Sequence, residues 1–518
     1  MTACDTTSHP SPQKPARGPA GAWLVLLAAL SGFFVFLSFP PADLGPLAWV
    51  ALVPFLAALA AARTARQALA LTLVFAFVFM AGFFAYLRMY GLLPWLALAL
   101  VESVVYLLAG VGIFLVWRRC NCPVGRTFAA AAIWSLIEFL RGNLGSISLT
   151  LGSLGHTQHS LLPILQIASL FGVGGIGFLI VLANAALAEF ALGLFSGRPE
   201  SGYRALRMAA VILAAVTIWG GVVLRLPRPA PESAPTKLNV VAVQGNVELH
   251  TPVTREDSAN SARIYADMTR AAPGKPDLVI WPETALPVVL DSPGDAEYAE
   301  DTAALAREMN ANLLVGASET AGQGMIYNTA FLFNPDGAIA DHYRKDHLVL
   351  FGEYVPYRKQ LKFIEKYPVR MSDYAPGGPR NVMHAGAMPF GTVICFEGLF
   401  PEAVREVCRR GAQMIVIITS DAWAEGSYEV AQHSATGVFP AVEARKWLVR
   451  AATTGRSAIV SPYGEVVSTV PEFQAGYASA LVPASEGLSL CHRGGWLAFL
   501  IICVGIVVVA ARKGPTSA

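Results

Sequence analysis

Apolar residues are spread so unevenly along this chain that it cannot fold as one water-soluble globule. Residues 22–226 are almost wholly apolar, whereas residues 236–485 have the mixed composition of an ordinary globular domain. Only 14% of all residues are charged, where a soluble domain carries roughly a quarter. Composition therefore divides the chain into a membrane part and a globular part. The net charge of +2 is too small to suggest a nucleic-acid partner. Cys4, Cys120, Cys122, Cys395, Cys408, Cys491 and Cys503 are scattered, and no spacing reads as a zinc site or a disulfide framework. No metal and no cofactor is expected. Cys120 and Cys122, beside Arg118 and Arg119 at a helix end, read as packing residues.

A helix needs about 20 apolar residues to cross a bilayer. Eight segments are candidates: 22–38, 46–62, 68–87, 92–117, 127–141, 163–193, 205–225 and 495–511. The second and fifth are short. The sixth is long enough to tilt, or to break near Gly172-Val-Gly-Gly-Ile-Gly177. Basic residues set the direction, because they concentrate in cytoplasmic loops. With a cytoplasmic N-terminus, Lys14, Arg17, Arg63, Arg66, Arg118, Arg119, Arg126, Arg198, Arg204, Arg207, Arg512 and Lys513 all fall on the cytoplasmic side, and only Arg88 and Arg141 in the opposite short loops. Seven spans then carry the globular part outside the cytoplasm, and the eighth brings the C-terminus back.

The expected organisation is a disordered cytoplasmic tail (1–21), seven membrane helices (22–226), a Pro-rich linker (227–236), a globular domain (237–486), a last membrane helix (495–511) and a short cytoplasmic tail (512–518). The apolar run after the first tail is followed by others, so no cleaved signal peptide is expected. Glu102 and Glu138 lie inside expected spans, where an ionisable group is costly. Arg141, three residues past Glu138, is its helix neighbour and expected partner.

The globular part alternates short β-rich runs with helical stretches, which points to an α/β sheet covered by helices. Strands are expected at 238–243, 277–281, 312–316, 329–333, 392–396 and 414–419, and helices at 258–272, 301–310 and 402–410. Polar residues collect where strands end: Glu283 after 278–281, Cys395 after 392–394, and Asp421 after 415–419. Ligands of open α/β sheets bind beyond the carboxyl ends of strands. A thiolate is the strongest side-chain nucleophile at neutral pH. Singly, these residues have plainer readings. Cys395 reads as strand core, Lys345 as a solvated loop charge, and Glu283 between Pro282 and Pro287 as part of a rigid turn.

Together they resemble a known pattern. The order Glu283, Lys345, Cys395, in the contexts Trp281-Pro-Glu, Gly352-Glu-Tyr-Val-Pro356 and Ile394-Cys-Phe-Glu397, resembles the triad of the nitrilase superfamily. With the apolar region attached, residues 22–511 resemble the membrane-embedded apolipoprotein N-acyltransferase family. Further marks are Val243-Gln-Gly-Asn246, Tyr327-Asn328, Ser420-Asp-Ala-Trp423 and Trp134-Ser-Leu-Ile-Glu-Phe-Leu-Arg-Gly142. The resemblance implies an α-β-β-α sandwich beside about eight membrane helices. It implies Glu283 as general base, Lys345 as the charge on the oxyanion and Cys395 as nucleophile. Glu353 and Glu397 support them, and Tyr354, Phe396, Asp421 and Trp423 contact substrate.

The implied reaction moves an acyl chain from a phospholipid, typically phosphatidylethanolamine, through a thioester to the N-terminal amine of a diacylglyceryl-cysteine apolipoprotein. The implied location is the bacterial inner membrane, with the catalytic domain on the periplasmic side. Phe351, Tyr354, Tyr357, Phe363 and Tyr367 could line lipid entry, and Lys359, Lys362 and Lys366 could meet headgroups, unless this is an ordinary amphipathic surface. The chain departs from the family at Ser420, where Asn is common, at Ile147–Gly152, which lacks an expected Trp, and at Glu248-Leu-His250, which lacks an expected aromatic. A membrane-tethered amidase using water, and a transporter or receptor with an outer domain, are the competing readings. As a loop residue, Lys345 is expected to matter for rate far more than for stability.

Overall fold

Uninterrupted apolar stretches satisfy their backbone groups internally only as helices, and the first part of the chain is helical throughout. The computed structural model describes residues 21–197, 199–247, 253–322, 324–350, 352–354, 374–424 and 426–512. Outside them lie the first twenty residues with Lys14 and Arg17, and also Arg198, Glu248–His250, Phe351, Tyr357, Lys359, Lys362, Phe363, Lys366, Tyr367 and the tail from Lys513. The apolar half comprises α1 (Gly21–Leu37), α2 (Ala48–Ala51), α3 (Val53–Ala61), α4 (Ala65–Phe83), α5 (Leu92–Arg119), α6 (Pro123–Arg141), α7 (Leu162–Leu165), α8 (Ala168–Phe171), α9 (Val173–Phe195) and α10 (Pro199–Arg225).

Five helices are long and apolar enough to cross a membrane: α4, α5, α9, most of α10 (Gly202–Arg225) and a C-terminal helix (Cys491–Ala511). They coincide with five of the eight expected segments. The first expected segment is the 17-residue α1. The second is divided at Leu52 between α2 and α3, where Pro54 sits in the first turn and cannot donate to the preceding one. The fifth is the 19-residue α6. The sixth breaks within its glycine run. Gly172 adopts φ +73°, a conformation that favours glycine, and α9 starts afresh behind it.

The expected Glu138–Arg141 pairing is not what forms. The Arg141 side chain turns toward α5, where its Nε donates to Glu102 Oε2 at 2.7 Å and its Nη1 to Tyr106 Oη at 3.3 Å. Its remaining Nη2 donates to the Leu151 carbonyl. Glu138 instead accepts from the Leu154 backbone N–H at 2.8 Å. Both groups thus hold the segment after α6, and Thr150 in that segment donates to the Leu399 carbonyl at 2.8 Å.

The globular half contains β1 (Lys237–Gln244), β2 (Leu278–Ile280), β3 (Leu286–Val289), β4 (Asn312–Gly322), β5 (Met325–Phe333), β6 (Ile339–Arg344), β7 (Val382–Ala385), β8 (Met388–Ile394), β9 (Met414–Thr419), β10 (Trp447–Ala452), β11 (Ala458–Val460), β12 (Val466–Thr469) and β13 (Gly476–Pro483). Its helices are α11 (Arg255–Arg270), α12 (Ala296–Met309), α13 (Pro401–Arg409), α14 (Glu429–Thr436) and α15 (Phe439–Ala444), and α16 (Trp496–Ala511) follows. One sheet runs β13-β1-β2-β4-β5-β6 with β3 beside β4, and the other runs β12-β11-β10-β9-β8-β7. The centres of both are parallel: β1-β2-β4 and β8-β9-β10. Strands such as β9, Met-Ile-Val-Ile-Ile-Thr, are buried along their whole length, as parallel strands covered on both faces must be.

The sheets face each other across Val240, Ile280, Leu314, Phe390, Ile394, Val416, Ile418 and Val449. Beneath the first sheet, Val241, Val279, Leu313 and Val315 pack with Tyr265 of α11 and Leu305 of α12. Outside the second sheet, Val404 and Val407 of α13 and Phe439 and Val442 of α15 join one continuous core with the apolar helices. The α-β-β-α sandwich therefore shares its second helical layer with the membrane part. Polar contacts fasten the join: Tyr90 Oη donates to the Trp423 carbonyl at 3.1 Å, Tyr428 Oη to that of Gly82 at 2.6 Å, and Gln432 Nε2 to that of Pro40 at 3.1 Å.

Candidate active site

Three strands deliver the site, β2 and the edge strand β6 from one sheet and β8 from the other, and a polar side chain follows the end of each. After β2 the chain turns sharply through Pro282 and Glu283. β4 passes so close there that a Cβ on Gly316 would lie 2.3 Å from the Pro282 carbonyl oxygen and 2.7 Å from Glu283 Cα. Glu283 is buried and held at both oxygens. Oε2 accepts from the Ser420 backbone N–H at 2.7 Å, and Oε1 from Asn328 Nδ2 at 2.6 Å. Lys345 follows β6, its N–H donating to the Asn328 carbonyl at 2.8 Å. Its ammonium is 3.4 Å from Glu283 Oε1 and 2.9 Å from Glu353 Oε1. Glu353 also accepts from the Val349 N–H at 2.8 Å and from Asn328 Nδ2 at 3.1 Å. One ammonium and one amide thus lie between two carboxylates.

Cys395 is the first residue beyond β8. It is buried, with φ +57°. A side-chain-bearing residue in that conformation is uncommon and points to function when the surroundings enforce it. Burial pushes its thiol well above the usual range; the Glu283 carboxylate adds to this, and Lys345 opposes it. Burial likewise raises Glu283, against the pull of Lys345. For Lys345 burial acts downward, but Glu353, Glu283 and Cys395 outweigh it and keep the ammonium charged. A buried thiol, a buried carboxyl group and an ammonium thus lie within electrostatic reach of one another.

Glu397 lies within the turn that begins at Cys395 and is fully buried. It accepts from the Ile394 N–H at 2.9 Å, from the N–H groups of Asp346 and His347 at 3.0 Å each, from Tyr343 Oη at 2.8 Å and from Arg380 Nη2 at 3.1 Å. One carboxylate therefore ties the cysteine turn to the loop that carries Lys345. Glu397→Ala is expected to destabilise the protein by about 3–5 kcal/mol, because it breaks a buried ion pair and leaves the Ile394, Asp346 and His347 N–H groups without this acceptor. Thermal unfolding of the detergent-solubilised protein measures this, and an unchanged midpoint would remove Glu397 from the positioning role.

Of the expected substrate contacts, Phe396 stacks on His433 at 5.0 Å between ring centres and stands 6.2 Å from Trp423. Tyr354 is half-buried beside Glu353. Asp421 is fully buried and engaged: Oδ2 accepts from Arg450 Nη2 at 3.0 Å, and Oδ1 lies 3.0 Å from His433 Nδ1. Burial alone would raise its carboxyl, but Arg450 and His433 hold it at about 2. The structure gathers Glu283, Lys345 and Glu353, sets Cys395 within their electrostatic reach, and puts Asp421 behind Phe396. Reading the sequence found no role for Asn328, His433 or Arg450. The signal for them is a polar side chain within an apolar strand or helix face, but nothing local names its partner. Among the described residues no group of three or more His, Cys, Asp or Glu could hold a metal ion.

Residues 239–487 match the Carbon-nitrogen hydrolase family. Residues 31–186 match the Apolipoprotein N-acyltransferase N-terminal domain. An apolipoprotein N-acyltransferase of Geobacter metallireducens is 35% identical over 502 residues, 94% of each chain. One from Azotobacter vinelandii is 31% identical over 406 residues, 76% of this chain and 74% of the relative. A solved nitrilase-superfamily amidase from Nesterenkonia AN1 is similar at 19% identity and a TM-score of 0.37, over 50% of this chain and 95% of that one. An apolar helical region and a carbon-nitrogen hydrolase domain in one chain, with such relatives along nearly its whole length, make this protein an acyltransferase that belongs to the apolipoprotein N-acyltransferase family.

Proposed function

We propose that the enzyme takes a fatty acyl chain from a membrane phospholipid, with phosphatidylethanolamine as donor, and passes it through a Cys395 thioester to the N-terminal amine of diacylglyceryl-cysteine on apolipoproteins. The observation that carries this reading is the buried Glu283–Lys345–Glu353 array around a strained Cys395, in a domain fastened to apolar helices. In the first half-reaction Glu283 removes the thiol proton as Cys395 Sγ attacks the ester carbonyl. Lys345 stabilises the oxyanion. The tetrahedral adduct collapses, and the lysophospholipid alkoxide leaves with the proton from Glu283. In the second half the acceptor amine attacks the thioester, Glu283 takes its proton, and the thiol is restored as the amide forms. A thioester suits the second step because amines attack it more readily than an oxygen ester. Glu353 and Glu397 are positioning residues, and Tyr354, Phe396, Asp421 and Trp423 form or brace the substrate wall.

The same reading has eight spans, with α1, the helical segment Gly45–Ala61 and α6 completing the five longer helices. It puts both tails in the cytoplasm and residues 237–486 on the periplasmic side of a bacterial inner membrane. Its support is the one-sided distribution of Lys and Arg. Mass measurement of a client lipoprotein N-terminus from cells with and without the enzyme tests the reaction. The expected difference is one acyl group on the amine, and identical masses would refute it.

The pH dependence follows from Glu283. A general base works only when ionised, and burial raises this carboxyl above its ordinary value. Thioester formation is therefore expected to fall tenfold per unit below a midpoint that lies above about 4.3, the value of a free glutamate. Rapid-quench measurement of the acyl-enzyme against pH reads that midpoint. A midpoint at or below the free value would assign the proton to another group.

A further inference from the structure

Where α16 begins, buried polar nitrogens gather without hydrogen-bond partners. Among the described residues, Arg405 Nε, both ring nitrogens of His492 and Trp496 Nε1 are buried without a partner. The Arg405 guanidinium lies over the Trp496 ring, 4.4 Å from its centre, and the other neighbour of that ring is Phe139 of α6 at 5.9 Å. Arg409, one turn along α13, donates to the His492 carbonyl at 3.1 Å. Arg405, Arg409 and Lys446 all press positive charge on the His492 ring, and Arg493 beside it is exposed.

Nearby carboxylates do not answer this charge. Glu406 is taken by Arg380 at 3.0 Å and by Arg410 at 2.8 Å. Glu443 feels Arg405 but bonds the Val173 N–H at 2.7 Å. Lys446 is spent on the carbonyls of Ser485 and Gly487. Among the described residues, Arg405, Arg409 and Arg493 form no ion pair.

The level of this cluster selects its ligand. Cys491–Ala511 is long and apolar enough to cross a membrane, so its first turn lies where hydrocarbon gives way to headgroups. Trp and Arg anchor spans at that depth, and the helix N-terminus adds further positive potential. Below it Leu497, Ile501 and Ile502 are exposed, as residues facing acyl chains are. A lipid phosphodiester brings negative charge, acceptor oxygens and tails that fit those side chains.

We propose that Arg405, Arg409, Arg493 and Trp496 form a binding site for the phosphate of an anionic membrane phospholipid, on the face of the bilayer that carries the catalytic domain. The bound lipid fastens α13, which begins two residues after the Cys395–Leu399 turn, to the last span. The proposal rests on α16 crossing the membrane and not on the thioester chemistry.

The test uses the full-length protein in nanodiscs of phosphatidylcholine alone or mixed with phosphatidylglycerol. Phosphatidylglycerol is expected to raise the unfolding midpoint of the wild type, and native mass spectrometry to find it retained. The variant Arg405→Gln/Arg409→Gln/Arg493→Gln is expected to lose both effects while keeping its midpoint in phosphatidylcholine. An equal shift in that variant overturns the proposal. So does an equal shift of the wild type on adding inorganic phosphate to phosphatidylcholine discs, which would make the ligand a free anion. If the triple variant does not fold, Arg409→Gln/Arg493→Gln, which changes two exposed side chains, is expected to lose at least half of the shift, and an undiminished shift overturns the site.

Discussion

Cys395→Ala protein incubated with phospholipid carrying a labelled acyl chain is expected to retain none of the label that neutral hydroxylamine releases from the wild type. A covalent intermediate needs a nucleophile at the point where base and oxyanion charge converge. Around Glu283 and Lys345 the residue so placed is Cys395, whose charge both of them sense. Acyl transfer should fall by at least about four orders of magnitude, as when a nucleophile is removed from a unit that acts as a whole. Stability should change by only about 1 kcal/mol, because alanine keeps the Cβ, the φ of +57° and the Glu397 bonds to the surrounding backbone. A folded variant that still acquires hydroxylamine-labile label would move the thioester to another cysteine and end the assignment.

Lys345→Ala is expected to lower both activity and stability, and here the structure overturns the expectation drawn from the sequence. A loop lysine contributes little to folding, but Lys345 is not solvated: it is 1% exposed, between two carboxylates. Removing it leaves Glu283 and Glu353 facing each other around the Asn328 amide with no cation, a change of about 3–5 kcal/mol when a buried pair is broken. The oxyanion would also lose its charge partner, worth roughly 10²–10³ in rate.

The pH dependence separates the two effects. Without the ammonium, the Glu283 carboxyl keeps the upward push of burial and loses the opposing pull of Lys345, so its folded pKa lies above its unfolded one. Ionisation is then penalised in the fold, so stability falls as pH rises above about 4.3 and returns as the group is protonated. The midpoint deficit of the variant should therefore be large at pH near 8 and shrink toward pH near 5, whereas activity stays low at both. Thermal unfolding across that range decides it, and a deficit that is absent or independent of pH would mean the carboxylates do not depend on Lys345.

Much of the fold was legible because it is written in local pattern. The apolar runs became helices, Met414–Thr419 became a strand with those bounds, and the glycine run broke its helix at Gly172. β6, Ile-Ala-Asp-His-Tyr-Arg, was missed because an edge strand left mostly exposed has no apolar run to announce it. The second half of the other sheet, β10 to β12, was missed for a related reason: Arg450 interrupts the first of its strands, and the other two have only three and four residues. At the site, the motifs drew attention to Glu283, Lys345 and Cys395. They did not reveal that Asn328 bridges Glu283 and Glu353, or that Asp421 is saturated by Arg450 and His433.

The order of residues by itself determined where the chain meets lipid, where it turns and which segments carry reactive groups, because hydrophobic periodicity and turn chemistry act over a few neighbours. Which charge meets which was decided only in three dimensions. Lys345 finds Glu283 across 62 positions, and Arg141 passes over the nearby Glu138 for Glu102 across 39. A charge removed from water must take whatever opposite charge the packed backbone brings within reach, and no rule of sequence spacing contains that distance.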